Sequence, residues 1–210
     1  VLVGVLVACG TAHGQHGHDP HRFQDAERWA RVFDDPARDA WQRPDEVIRA
    51  LGLAPTAIVA DIGAGTGYFA VRLARAVPRG RVYGADVEPD MVRHLQARAR
   101  SEGLGNLVAV EAARDDPRLP VPVDVAVVVN TYHHIGDRAA YFGRLRERLA
   151  AHGRVAILDF RPDAPMGPPP RHRIPAGVVE QEMKRAGYEL AAEHRFLPHQ
   201  YFLVFAPAPR

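Results

Sequence analysis

Residues 57–88, AIVADIGAGTGYFAVRLARAVPRGRVYGADVE, constrain the fold more than any other part of the chain. An apolar run, Ala57 to Ala60, leads into Asp61-Ile62 and breaks at Gly63-Ala64-Gly65-Thr66-Gly67. Phe69, Val71, Leu73, Ala74 and Val77 then recur at helical spacing. A Pro-Arg-Gly turn follows, and a second apolar run, Val82 to Ala85, ends on Asp86. Strand, glycine turn, helix and strand in that order build one half of a doubly wound α/β sheet. Glycines there let the backbone turn tightly and let a ligand approach without a Cβ in the way. An acid closing the second strand, roughly 20 residues on, is placed to accept hydrogen bonds from ribose hydroxyls.

The glycine spacing selects among nucleotide ligands. A dinucleotide fingerprint, G-x-G-x-x-G, needs glycine at position 68, where this chain has Tyr68. The turn reads G-x-G-x-G instead and carries no basic residue. Asp61 stands two positions before its first glycine, which suits a pyrophosphate poorly. This D-I-G-A-G-T-G run resembles motif I of the class I S-adenosylmethionine (SAM) methyltransferases, over roughly residues 45–206 of the chain. The resemblance implies an α/β, Rossmann-like, seven-stranded and mostly parallel sheet with helices on both faces and a C-terminal antiparallel hairpin. It implies SAM as methyl donor and a small molecule as acceptor. In it the backbone of Gly63, Gly65 and Gly67, with Tyr68 next in line, passes the methionine part of SAM. Asp61 fixes that turn and the donor's amino group, Asp86 holds the ribose, and Val87 packs against the adenine. Asp115, or Asp116, is the candidate for the adenine amino nitrogen, and Asn130 for a further cofactor contact.

Downstream, Pro89 to Ser101 reads as a helix and Leu107 to Glu111 as the third strand. Asp124 precedes an unbroken apolar run, Val125 to Val129, as in a central parallel strand buried on both faces. That run ends in Asn130-Thr131-Tyr132-His133-His134-Ile135, which resembles the motif IV segment of small-molecule methyltransferases. Ligands in open α/β sheets sit at the carboxyl ends of strands, so the segment faces the crevice. His133 and His134 are the candidate general bases, since an imidazole with a pKa near roughly 6.5 suits deprotonation of a phenol, thiol or activated carbon. The alternative is that one caps the next helix while the other packs on the sheet. Tyr132 and Asn130 are expected to orient the acceptor. Asp137 to Ala150 reads as an amphipathic helix and Arg154 to Phe160 as the fifth strand. RPDAPMGPPPRHRIP holds six prolines in 15 residues and reads as a semi-rigid loop over the site. Its Arg161, Arg171, His172 and Arg173 are candidates to meet an anionic acceptor, or a solvated face. A helix, Pro175 to Gly187, and a hairpin of Glu189 to Phe196 with Gln200 to Phe205 close the chain.

Upstream, three segments are expected: residues 1–22 as signal and tether, 23–54 as N-terminal helices, and 55–210 as the main domain. Val1 to Ala8 is too short to span a bilayer but matches the apolar core of a secretory signal. Leu6-Val7-Ala8-Cys9 resembles a bacterial lipobox, implying a membrane tether through an acylated Cys9 and a place in the cell envelope or periplasm. The alternative is a cytoplasmic protein with a buried N-terminal strand. His13, His16, His18 and His21 lie among glycines with no fixed geometry, so this stretch reads as a solvated tether and no metal site is expected. Both tryptophans, Trp29 and Trp41, fall in the helical segment, where the resemblance implies a cover over the cofactor.

Composition sets outer limits. A formal charge of +2 gives no reason to expect a nucleic-acid partner, and a single cysteine excludes an internal disulfide. Methyl transfer to a small molecule is the leading reading. One alternative is an envelope protein that keeps the fold without turnover, since SAM is made in the cytoplasm. A nicotinamide oxidoreductase is the other, disfavoured by Tyr68.

Overall fold

In the computed structural model, which describes residues 25–209, seven strands form one sheet in the order β3-β2-β1-β4-β5-β7-β6. They are β1 (Ile58–Ile62), β2 (Arg81–Asp86), β3 (Leu107–Glu111), β4 (Val123–Val129), β5 (Leu149–Phe160), β6 (Tyr188–His194) and β7 (Gln200–Pro207). β1 to β5 pair in parallel, and β7 runs antiparallel between β5 and β6. Cys9, the tether histidines and Phe23 lie outside the described residues.

The period-two alternation of each strand divides the core into two layers. Val59, Val125, Val127, Leu158 and Phe202 meet α3 (Pro44–Leu51), α4 (Tyr68–Ala76) and α5 (Pro89–Ser101) on one face. Ala60, Ala126, Val128, Ile157 and Leu203 meet α6 (Arg138–Arg146) and α7 (Ala176–Arg185) on the other. β4 is buried along Val125 to Val129 because both layers cover it. No helix among the described residues is long and apolar enough to cross a membrane.

The helix expected to reach Ala150 stops at Arg146. Arg148 O accepts from Val123 N–H at 2.9 Å and Leu149 pairs with Val123, so β5 begins earlier than its apolar run suggests and carries an irregularity before Arg154. Two short helices precede α3. In α1 (Ala26–Phe33) Asp25 caps the start by accepting from Arg28 N–H, and α2 is Arg38–Gln42. α3 starts on Pro44 and ends on Gly52 in the left-handed conformation, the expected helix-stop geometry.

Candidate functional site

The sheet order reverses between β1 and β4, which opens a crevice at the carboxyl ends of both strands. The glycine turn lies there. Gly63, Gly65 and Gly67 all have positive φ, at 72°, 53° and 96°. A Cβ on Gly63 would stand 2.3 Å from Thr131 Oγ1, and one on Gly67 would stand 2.5 Å from Leu95 Cδ1. Those two glycines are required by the protein's own packing. Among the described residues only the Phe33 ring of α1 comes near the missing Cβ of Gly65, at 3.6 Å, so packing against a side chain does not require this glycine. The turn is tied down by Gly63 N–H donating to Ala85 O at 2.8 Å and by Arg98 Nη1 donating to Thr66 O at 3.1 Å.

Two acids flank the turn. Asp86 is 9 % exposed and accepts from Gly65 N–H at 2.8 Å through one oxygen and from Glu88 N–H at 2.9 Å through the other. Burial pushes its carboxyl up, and the amides of Glu88, Gly65 and Val87 oppose this. A carboxylate has about four acceptor positions, so with these three amides about one remains for a ribose hydroxyl. Asp61 is 2 % exposed at the end of β1. Burial lifts its carboxyl to about 7; the Arg38 guanidinium opposes the rise, Asp86 adds to it, and the Ala70 amide opposes it. Val87, next to Asp86, is 42 % exposed and offers an apolar surface at the crevice lip. Thr66 Oγ1 is buried without a hydrogen-bond partner among the described residues.

The segment after β4 supplies the other wall. Tyr132 to His134 form a single 3-10 turn. His133 Nδ1 lies 2.8 Å and 3.0 Å from the two carboxylate oxygens of Asp159, with side-chain exposures of only 5 % and 3 % for the pair. Asp159 also accepts from Phe160 N–H at 2.8 Å, which holds the carboxylate facing the ring. An Asp at Nδ1 fixes the tautomer that leaves Nε2 as an acceptor. Nε2 of His133 has no hydrogen-bond partner among the described residues. His134 is exposed, and its ring meets that of His133 at a tilt of 42° with centroids 4.1 Å apart. Sequence reasoning missed Asp159, although it closes an apolar strand in the same manner as Asp86 and is legible by that signal.

The N-terminal helices close the site through contacts that no sequence spacing announces. Gln42 Nε2 donates to Gln200 Oε1 at 2.7 Å, Gln200 Nε2 donates to Asn130 Oδ1, and Asn130 Nδ2 reaches Gln42 Oε1 at 3.5 Å. Asn130, with φ of 54°, is therefore held by an amide ring joining α2, β4 and β7. The Tyr68 hydroxyl donates to Asp39, and its ring carries the guanidinium carbons of Arg38 and Arg72 at 3.9 Å and 4.1 Å. Arg38 Nε donates to Gln42 Oε1 and its Nη1 to Phe33 O, both at 2.7 Å.

Other expected residues serve elsewhere. Asp115 has 74 % of its side chain exposed and pairs with Arg144 at 3.5 Å. Tyr132 does not face an acceptor; it is buried against Phe142, and its hydroxyl donates to Glu182 Oε2 at 2.7 Å. Arg161 donates to the carbonyls of Leu197, Pro198 and Gln200. Arg173 donates to those of Pro162, Ala164 and Pro168. Both arginines brace the proline loop instead of presenting their charge. Among the described residues no group of three or more His, Cys, Asp or Glu side chains is arranged to hold a metal ion.

A mostly parallel sheet in this order, with its last strand antiparallel and a bare glycine turn at the switch point, is the Rossmann-like fold of class I methyltransferases. Residues 60–155 match a family model described as a methyltransferase domain. The chain is 38 % identical over 104 residues to the 4-amino-L-phenylalanine/4-methylamino-L-phenylalanine methyltransferase of Streptomyces pristinaespiralis, a match covering 49 % of this chain and 34 % of that one. The match thus spans about a third of that relative's length. Its fold is similar to that of a SAM-dependent methyltransferase from Aquifex aeolicus, with a TM-score of 0.81, 23 % identity, and coverage of 88 % of this chain and 99 % of that one. It is also similar to magnesium protoporphyrin IX methyltransferase from Synechocystis PCC 6803, solved with bound S-adenosylhomocysteine (SAH), with a TM-score of 0.66 and 18 % identity. That match covers 87 % of this chain and 93 % of the other.

Proposed function

We propose that this chain transfers a methyl group from SAM to a small-molecule acceptor, with His133 taking the proton that the acceptor loses. The His133–Asp159 pair at the ends of β4 and β5 carries this reading, because it sets a proton acceptor beside the donor turn. The residues present fit SAM: a turn at Gly65 with no side chain, Asp86 with an acceptor position to spare, an exposed Val87 and a buried Asp61. When bound, SAM supplies an electrophilic methyl group on a sulfonium.

The protein's own part is positioning and proton transfer, of which positioning alone can account for roughly 7–11 kcal/mol of a barrier. Asp159 accepts from Nδ1–H, so Nε2 takes the proton from a phenol, aniline or thiol, and the resulting imidazolium faces the buried carboxylate. The Streptomyces pristinaespiralis relative is named for methylating an aromatic amine, which supports a nitrogen or oxygen nucleophile on an aromatic ring. A nicotinamide reading is disfavoured because the start of α4 carries the Tyr68 ring and the Asp39 carboxylate where a diphosphate would need open amides. An acylated Cys9 would set this activity at a membrane surface; that reading rests on Leu6-Val7-Ala8-Cys9 alone.

The test is incubation of the purified protein with SAM and a panel of phenols, anilines, thiols and amines, with SAH release followed by mass spectrometry. Acceptor-dependent SAH release is expected. Calorimetry showing no SAH binding would remove the donor reading. Binding without release across the panel would favour the non-catalytic alternative.

A further inference from the structure

Behind the His133–Asp159 pair lies a buried hydroxyl with nothing to bond. Tyr201, near the start of β7, is 4 % exposed, and its hydroxyl has no hydrogen-bond partner among the described residues. In the antiparallel pairing of β5 with β7 it stands directly opposite Asp159, so the two side chains share one face of the sheet. That face is the layer of Tyr132, Ile157 and Leu203. A donor buried in this way is costly unless it finds a partner. Burial, and after it the Asp159 charge, push the Tyr201 hydroxyl well above the usual phenol range, so it stays a donor.

Asp159 has an acceptor position free. It accepts from Phe160 N–H at 2.8 Å, from His133 N–H at 3.3 Å and from His133 Nδ1, which leaves about one of four positions. It is 2 % exposed, and among the described residues no arginine or lysine pairs with it. The other groups about the Tyr201 hydroxyl are Tyr132 in the 3-10 turn, Arg138 on α6 and Glu182 on α7. Glu182 already takes Arg138 Nε at 2.6 Å, Arg138 Nη2 at 2.8 Å and the Tyr132 hydroxyl, so its charge is met. Asp159 has only neutral donors until His133, with His134 against its ring, takes a proton.

We propose that Tyr201 is a positioning residue for the base: its hydroxyl donates to the Asp159 carboxylate across one bridging water, and so sets how tightly Asp159 holds the His133 imidazolium. The proposal rests on the reading of His133 as the base. A water is the ordinary link between two buried polar groups that stand too far apart to bond directly. A carboxylate that shares its charge with a second donor attracts the imidazolium less, so His133 stays neutral, and able to take a proton, down to lower pH.

Tyr201→Phe removes the hydroxyl and keeps the ring in the core. Nuclear magnetic resonance titration of His133, its signal assigned by its loss in His133→Ala, should show the midpoint rising by roughly 0.4–1 pH unit, the worth of one hydrogen bond. The acid limb of kcat/KM for an acceptor should rise by the same amount. In an Asp159→Asn background the same change should move the midpoint by less than about 0.2 unit, because an amide has no charge to share. A midpoint that stays put or falls in Tyr201→Phe overturns the proposal. It does so whether urea unfolding finds the variant more stable, as for an orphan donor removed, or less stable, as for packing alone. An equal rise in both backgrounds also overturns it, since the effect then bypasses Asp159. A midpoint raised only where Asp159 is present, in a protein that releases no SAH with any acceptor, upholds the link from Tyr201 to Asp159 and fails the reading of His133 as the base.

Discussion

Replacing Asp61 by asparagine should stabilise the unliganded protein, and by more as the pH rises. In the unfolded chain the carboxyl ionises near 3.8, while in the fold burial delays ionisation to about 7. Below 3.8 it is neutral in both states and has no effect on stability. Between the two values the unfolded chain gives up the proton and the folded one keeps it, so stability falls as pH rises; above 7 the loss is complete. That interval corresponds to roughly 4 kcal/mol at about 1.36 kcal/mol per pH unit. Asparagine is close to isosteric, keeps an oxygen to accept from the Ala70 amide, and never ionises. Urea unfolding of both proteins at pH 5, 6, 7 and 8 would measure the difference. The variant's advantage should grow by about 2–3 kcal/mol from pH 5 to pH 8. That equals a rise in Tm of very roughly 4–12 °C for a chain of this size. A difference that stays flat across this range, or a variant less stable than wild type at pH 8, would refute the argument. If Asp61 meets the donor as proposed, the same variant should bind SAH more weakly by calorimetry.

His133→Ala should lower turnover on the order of 10²–10⁴-fold while SAH affinity changes less than about twofold. Asp159→Asn should also lower it, because an amide can donate to Nδ1 and select the wrong tautomer; a rate untouched by both variants would take the pair out of the reaction. Gly63→Ala and Gly103→Ala both put a side chain at positive φ, near 72° and 67°, but only the first drives a Cβ into Thr131. Gly63→Ala should therefore cost about 1–3 kcal/mol more than Gly103→Ala in urea unfolding; equal losses would mean that Thr131 yields freely.

The part of the candidate site built within one β-α-β unit is legible in the sequence. Asp61, the glycines and Asp86 lie within 26 residues, and glycine conformation and strand periodicity are local properties that a sequence displays directly. The seven-stranded sheet followed from five apolar runs and a closing hairpin. The end of α6 was misread because Leu149 and Ala150 suit either a helix face or a strand, and pairing with Val123 decides between them. Tyr132 was misassigned for a related reason. The single 3-10 turn after β4 turns successive side chains by about 120°, so Tyr132 points into the core while His133 meets Asp159, and Glu182 on α7 claims the hydroxyl. Arg38 carried no signal at all. Its contacts depend on where α2 lands, and Gln200, 158 positions after Gln42, holds α2 there.

That amide ring also sets a clock. Gln42 meets a partner 158 positions later, so the nascent chain emerges with α2 lacking the strand against which it docks. At about 5–20 residues per second, roughly 8–30 s of synthesis separate the two glutamines. The glycine turn can form early, but its roof waits for the last strand. A ribosome-bound fragment ending before Gln200 should thus leave α2 undocked from the glycine turn.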